Sequence, residues 1–257
     1  MPSNPLDIVP LWALYLLTVG ALLLAAEIGF RVGRSWQRRD PVKDTAIGPM
    51  VAATVGLLGF FLAFAVALAA DRFDTRRGLV LGEANAVGTA YLRAGYLPEP
   101  VASESRDLLR EYVDVRLSAL EPGNLEAAIA RSEQIQVELW RDAETLVRQT
   151  GGSDVVALYV EGLNEVIELH SQREIAAIYA RFPWYLLLGL YGIAVLSLFI
   201  LGFNNSYDGK RSWIALVSLV LVFGSVLFLI MDLDRSQEGL FQVSQQPMIN
   251  LQERLNP

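Results

Sequence analysis

Over 257 residues the chain is 53% hydrophobic with a mean hydropathy of +0.36, more apolar than an ordinary soluble domain and pointing to a membrane protein. It has no cysteine and one histidine, His170, which excludes disulfide scaffolds, thiol catalysis, haem thioethers and zinc sites built on cysteines or histidine pairs; only carboxylates are left to bind a metal, and no metal or cofactor is expected. The net charge of −7 is uneven: residues 31–45 hold five basic against two acidic side chains (+3), residues 71–183 hold 12 Arg against 19 Asp and Glu (−7), and so acidic a segment argues against a nucleic-acid partner.

Four apolar runs reach bilayer length, since about 20 residues at about 1.5 Å each cross a core roughly 30 Å thick. The first covers residues 8–30. Nothing basic precedes it and five basic residues follow it, so it reads as an anchor rather than a cleavable signal. Near its inner end Glu27 is followed four residues later by Arg31, an ion-pair spacing; an acid inside a span is otherwise a functional candidate.

The second run, residues 46–70, carries no charge. Ala52, Gly56, Gly59, Ala63, Ala67 and Ala70 recur every three or four residues and form a strip of small side chains. Such a strip allows close helix packing, or, with Phe60, Phe61 and Phe64, lines a pore whose bulky rings form an apolar neck. Beyond it Val80, Ala84, Val87 and Tyr91 step by four, three and four, so the helix continues outward until Pro98 and Pro100 end it. Glu83 sits among glycines and alanines there, and a polar group buried at such a close contact needs a partner, with Arg235 or the segment "SQEGLFQVSQQP" as suppliers.

Three more amphipathic helices follow over residues 101–120, 125–149 and from Ser153 or Asp154 through Tyr179, opened by Asn124 and closed by Gly151 and Gly152 where the sequence marks it. The last carries the stripe Val156, Tyr159, Leu163 and Val166 and runs toward the third span through a kink at Pro183. Runs three and four cover residues 184–203 and 213–231. Acid and arginine pairs mark the outer ends of spans two and four, Asp71, Arg72, Asp74 and Arg76 on one and Asp232, Asp234 and Arg235 on the other; with Glu83 they are candidates for a charged pore mouth, or simply stop the helices at the interface.

The organisation expected is therefore all-α. Residues 1–70 hold two spans and the basic loop 31–45, residues 71–183 an acidic helical bundle, residues 184–231 two further spans, and residues 232–257 a polar tail. Both short loops are basic, the second through Lys210 and Arg211, which places them in the cytoplasm of a bacterial inner membrane and puts both termini and the bundle outside. No P-loop, dinucleotide fingerprint, nucleophile elbow or catalytic carboxylate pair occurs, so an enzyme is not expected.

The blocks "RFDTRRGLVLGEANAVGTAYLRAGYLP" and "LDRSQEGLFQVSQQPMINL", in a four-span frame with a helical insert after the second span, resemble the bacterial bestrophin-like membrane proteins over most of residues 46–252. "RFP" at Arg181–Pro183 also resembles a bestrophin tripeptide. The resemblance implies kinship with oligomeric anion channels whose second helix lines the pore, which would make Phe60, Phe61 and Phe64 neck residues, ions the permeant partners and the lipid bilayer the setting. No acidic cluster resembles the bestrophin calcium clasp, and bestrophins keep their soluble part in the cytoplasm, opposite to the side the loop charges give here. A homo-oligomeric ion channel and a non-conducting envelope protein whose bundle binds a partner both remain open at this point.

Overall fold

The computed structural model describes residues 9–39, 47–178, 181–207, 213–235 and 239–256. Among them are eight α-helices and no strand: α1 Leu11–Gln37, α2 Ile47–Ala94, α3 Val101–Ser118, α4 Leu125–Thr150, α5 Asp154–Ile178, α6 Trp184–Asn205, α7 Trp213–Asp234 and α8 Gln246–Leu255. Ile8, Lys43, Asp40, Asp44, Tyr179, Lys210 and Arg211 lie outside the described residues. The chain divides into two compact units, Met1–Phe73 with Arg181–Gln242 and Asp74–Ala180 with Val243–Pro257.

The first unit holds the four helices long and apolar enough to cross a membrane, α1, the first half of α2, α6 and α7. Trp12 and Trp36 near the two ends of α1, Trp184 and Tyr185 at the start of α6 and Trp213 at the start of α7 are all exposed, as expected of rings that sit at the headgroup level. α1 packs along α6 and also against α7. Lipid tails are as apolar as leucine, so this packing depends on close fit rather than on expelling water. The fit comes from glycine. A Cβ at Gly29 would fall on the Phe199 carbonyl oxygen, one at Gly202 on the Ala26 carbonyl oxygen, and one at Gly33 against Ser206 and Phe203. Thr18 adds a polar tie, its hydroxyl donating to Leu14 O at 2.8 Å and lying 2.7 Å from the Tyr191 hydroxyl. The sequence placed the small-residue packing strip on α2; within one chain, close backbone packing belongs to α1 and α6 instead.

The second unit is a helical bundle in which α3 packs on α4 and α8, and α4 on α5. Val87, Leu109, Tyr112, Ile135, Tyr159 and Met248 are fully buried in its core. The stripe of Val156, Tyr159, Leu163 and Val166 is buried as expected. Gly151 closes α4 at φ 69°, the left-handed position that a side chain disfavours, with its N–H donating to Val147 O at 3.0 Å. Asn124 does not cap α4 through its side chain; its amide turns back to donate to Ser118 O at 3.1 Å.

Two expectations change. α5 ends at Ile178 and α6 begins at Trp184, so Pro183 separates two helices instead of kinking one: it lacks the N–H to continue the ladder and holds extended backbone, φ −62° and ψ 120°. The polar tail is in part a helix, α8, whose Met248, Leu251 and Leu255 are buried in the bundle core. Their spacing of three and four was readable, but the surrounding glutamines and asparagine hid it.

Candidate functional site

Successive residues of a helix turn by about 100°, so the membrane half of α2 divides cleanly into faces. Leu58, Leu62, Ala65 and Ala69 form the buried face and join the core of the first unit. Ser197 on α6 donates to Thr54 O at 3.3 Å beside it. Ala52, Gly56, Gly59, Ala63 and Ala67 lie on the other side and are exposed, with Ala70 partly so. Among the described residues nothing comes within 4 Å of where side chains at Gly56 or Gly59 would sit. Phe60 and Phe64 flank this strip, 66% and 65% exposed, while Phe61 turns toward the packed side at 37% and meets Phe60 edge-on, centroids 5.8 Å apart. The strip and two of the three phenylalanines therefore share an uncovered face.

The charges at the ends of spans two and four have different surroundings. Asp71 and Asp74 are exposed. Arg72 donates to the Arg181 carbonyl and stacks over Phe182, 5.7 Å from the ring centroid. Asp234 accepts the Phe182 N–H at 2.6 Å, and Asp232 accepts the Leu240 N–H at 3.0 Å. Asp232, Asp234 and Arg235 are buried, as is Arg76. The two ends thus converge on Phe182, and the span-four aspartates hold backbone N–H groups rather than standing open at a rim. Glu27 and Arg31 form the ion pair the spacing indicated, Nε to Oε1 2.7 Å.

Glu83 is fully buried in the bundle and gathers two arginines around it. Tyr112 donates to Glu83 Oε1 at 2.6 Å, Arg116 Nε lies 2.9 Å from the same oxygen, and Arg173 Nη1 donates to Oε2. Arg173 also donates through Nη2 to Gln245, at the start of α8, so the C-terminal segment reaches the cluster through an arginine and not by touching Glu83. His170 Nδ1 lies 3.0 Å from the Tyr112 hydroxyl. Burial, then the Arg116 charge, push the His170 pKa down to about 4, so its ring is neutral at neutral pH. Burial raises the Tyr112 hydroxyl well above its ordinary value, and the Glu83 charge adds to this. One carboxylate against two guanidinium groups, all desolvated, makes a rigid junction of α2, α3, α5 and the segment before α8.

Sequence reasoning singled out Glu83 and its need for a partner, and left Tyr112, Arg116 and Arg173 unnamed. Tyr112 and Arg116 are one turn apart on α3, as are His170 and Arg173 on α5, but twelve arginines in this segment offered no local way to choose two of them. Asn85 is exposed, and Arg93 donates to Leu158 O at 2.7 Å.

A family model described as the Bestrophin-like domain matches residues 15–248. The fold is similar to that of a variant of a bacterial bestrophin homologue from Klebsiella pneumoniae, with TM-score 0.70, 16% identity and coverage of 96% of this chain and 99% of that one. A second structure of a bacterial bestrophin homologue from Klebsiella pneumoniae matches with TM-score 0.68 at 17% identity over 94% and 95% of the two chains. No curated protein matches.

Proposed function

The chain belongs to the Bestrophin-like family, and on that premise we propose that this membrane protein is a homo-oligomeric ion channel whose subunits meet around the exposed face of α2. The observation that carries the reading is the sidedness of that helix: Leu58, Leu62, Ala65 and Ala69 are used inside the chain, while among the described residues the small strip with Phe60 and Phe64 stays exposed. Small residues let copies of a helix approach closely, and two rings one turn apart supply an apolar constriction at which an ion path dewets and closes. Asp71 and Asp74, exposed just beyond the apolar membrane half of the same helix, would set the charge of the entrance. The basic residues Arg31 and Arg34 in the last turns of α1, with Arg38 and Arg39 just after it, support a cytoplasmic loop in a bacterial inner membrane, with both termini and the bundle outside. Nothing in this reading calls for enzymatic chemistry.

Purified protein in planar bilayers tests it: channel activity with chloride, sodium or potassium, altered by Phe64→Ala while the oligomer stays intact in detergent, is the expected result. A bilayer silent to all three ions, with a monomer in detergent, overturns it. The alternative, a non-conducting protein whose bundle binds a partner, draws on a groove lined by Glu104, Asp107, Glu111, Glu138, Arg141 and Asp142, where Arg110 pairs with Asp107 and Arg131 with Glu111 and Glu138, and Glu104 and Asp142 are left to meet a basic partner. Reporter fusions after Gly123 and at the carboxyl end test the orientation, with a periplasm-only reporter active at both.

A further inference from the structure

His170 is the only histidine in the chain, and its surroundings settle which nitrogen carries the proton. The Tyr112 hydroxyl has one hydrogen and gives it to Glu83 Oε1, a carboxylate oxygen in an ion pair that can only accept. The tyrosine oxygen can then only accept from His170, so Nδ1 is the N–H and donates to it over 3.0 Å. In a neutral ring that leaves a bare lone pair on Nε2. This atom is buried and has no hydrogen-bond partner among the described residues, and the side chain as a whole is 2% exposed. A buried acceptor without a donor is unfavourable, because its desolvation is not compensated.

Glu174, one turn further along α5, and Glu133 on α4 come together with His170 so that one ligand atom from each lies within 4.8 Å of the others. Glu133 is exposed and Glu174 partly so, which opens the group to solvent. From these contacts we propose that Glu133, His170 and Glu174 form a binding site for a divalent transition-metal ion of the zinc class.

Three features fit that class. One imidazole nitrogen with two carboxylates is a mixed donor set that suits zinc and its first-row neighbours, whereas calcium and magnesium favour oxygen alone. Three protein ligands leave a fourth tetrahedral position for water. The Glu83–Tyr112–His170 chain is the outer support that fixes a ligating histidine's ring and tautomer by taking the proton of its other nitrogen. Of the nearby charges, Glu83, Glu133 and Glu174 outnumber Arg116 and Arg173, so a dication meets a net negative site. One histidine suffices for such a site where two helices bring acids to it. The ion would tie α4 to α5 and bear on the buried cluster through His170, and none of this depends on whether the protein conducts.

The test uses the full-length protein in detergent, purified without a polyhistidine tag and stripped with chelator, titrated calorimetrically with zinc chloride. Saturable binding near one zinc per chain is expected, not displaced by a ten-fold excess of calcium or magnesium. Glu133→Gln and Glu174→Gln, which lie outside the buried cluster, each weaken it about ten-fold or more without shifting the metal-free melting temperature. Zinc X-ray absorption should show a single imidazole. Absence of saturable binding, binding unchanged in both glutamine variants, displacement by calcium, or a zinc shell without imidazole each overturns the proposal.

Discussion

The Tyr112 hydroxyl donates to Glu83 Oε1 over 2.6 Å, with both side chains fully buried, and this bond joins α3 to the outer half of α2. Around it the two arginines and Gln245 complete a junction to which four segments of the bundle contribute.

Removing the carboxylate leaves Arg116 and Arg173 buried as like charges with no counter-ion. Glu83→Ala is expected to destabilise the bundle by about 3–5 kcal/mol, the range for breaking a buried ion pair. Chemical denaturation followed by far-ultraviolet circular dichroism checks this; a loss below 1 kcal/mol would mean that the cluster is hydrated.

The state of His170 makes stability depend on pH. The unfolded chain takes up its proton near 6.5, while the folded chain takes none until about 4, because burial and then the Arg116 charge oppose it and Glu83 only partly compensates. Stability is therefore full above 6.5 and falls with acidification toward 4, by up to about 1.4 kcal/mol per pH unit. The groups facing the ring are Glu83 from α2, Tyr112 and Arg116 from α3, Glu133 from α4, and Arg173 and Glu174 from α5. With chelator present, denaturation midpoints should drop between pH 6.5 and 5, above most carboxylate titration; equal midpoints across that interval refute a buried neutral histidine.

Glycines on α1 and α6 should behave unlike those on α2. Gly29→Ala and Gly202→Ala drive a methyl into a backbone carbonyl and are expected to cost about 1–3 kcal/mol, as overpacking does. Gly56→Ala and Gly59→Ala meet open space within the chain. Under the channel reading they perturb assembly instead, so thermal melting should report the first pair and native gel mobility the second.

Leu251→Ala removes a buried side chain from the face that α8 presents to the bundle. A loss of about 2–5 kcal/mol is expected, the usual range for leucine in a packed core. A wild-type denaturation midpoint in this variant would show that α8 is dispensable to the bundle.

Much of this protein was legible along the chain. Hydropathy and the three-to-four spacing of apolar residues are local properties, so the four spans, the all-α class and the continuation of the second span as far as Ala94 could be read directly. The i,i+4 spacing likewise located the Glu27–Arg31 pair, whose partners share one helix. Only the tertiary structure decided that the glycines of α1 and α6 carry the close packing, that α2 keeps its small strip and Phe60 uncovered, and that Glu83 chose Arg116 and Arg173. It also turned part of the tail into α8 and gathered Glu133, His170 and Glu174 from two helices. The physical reason is the same in each case. A helix repeat shows which residues share a face, but which face is covered, and by whom, depends on contacts between segments far apart in the chain, 90 residues for Glu83 and Arg173 and 173 for Thr18 and Tyr191.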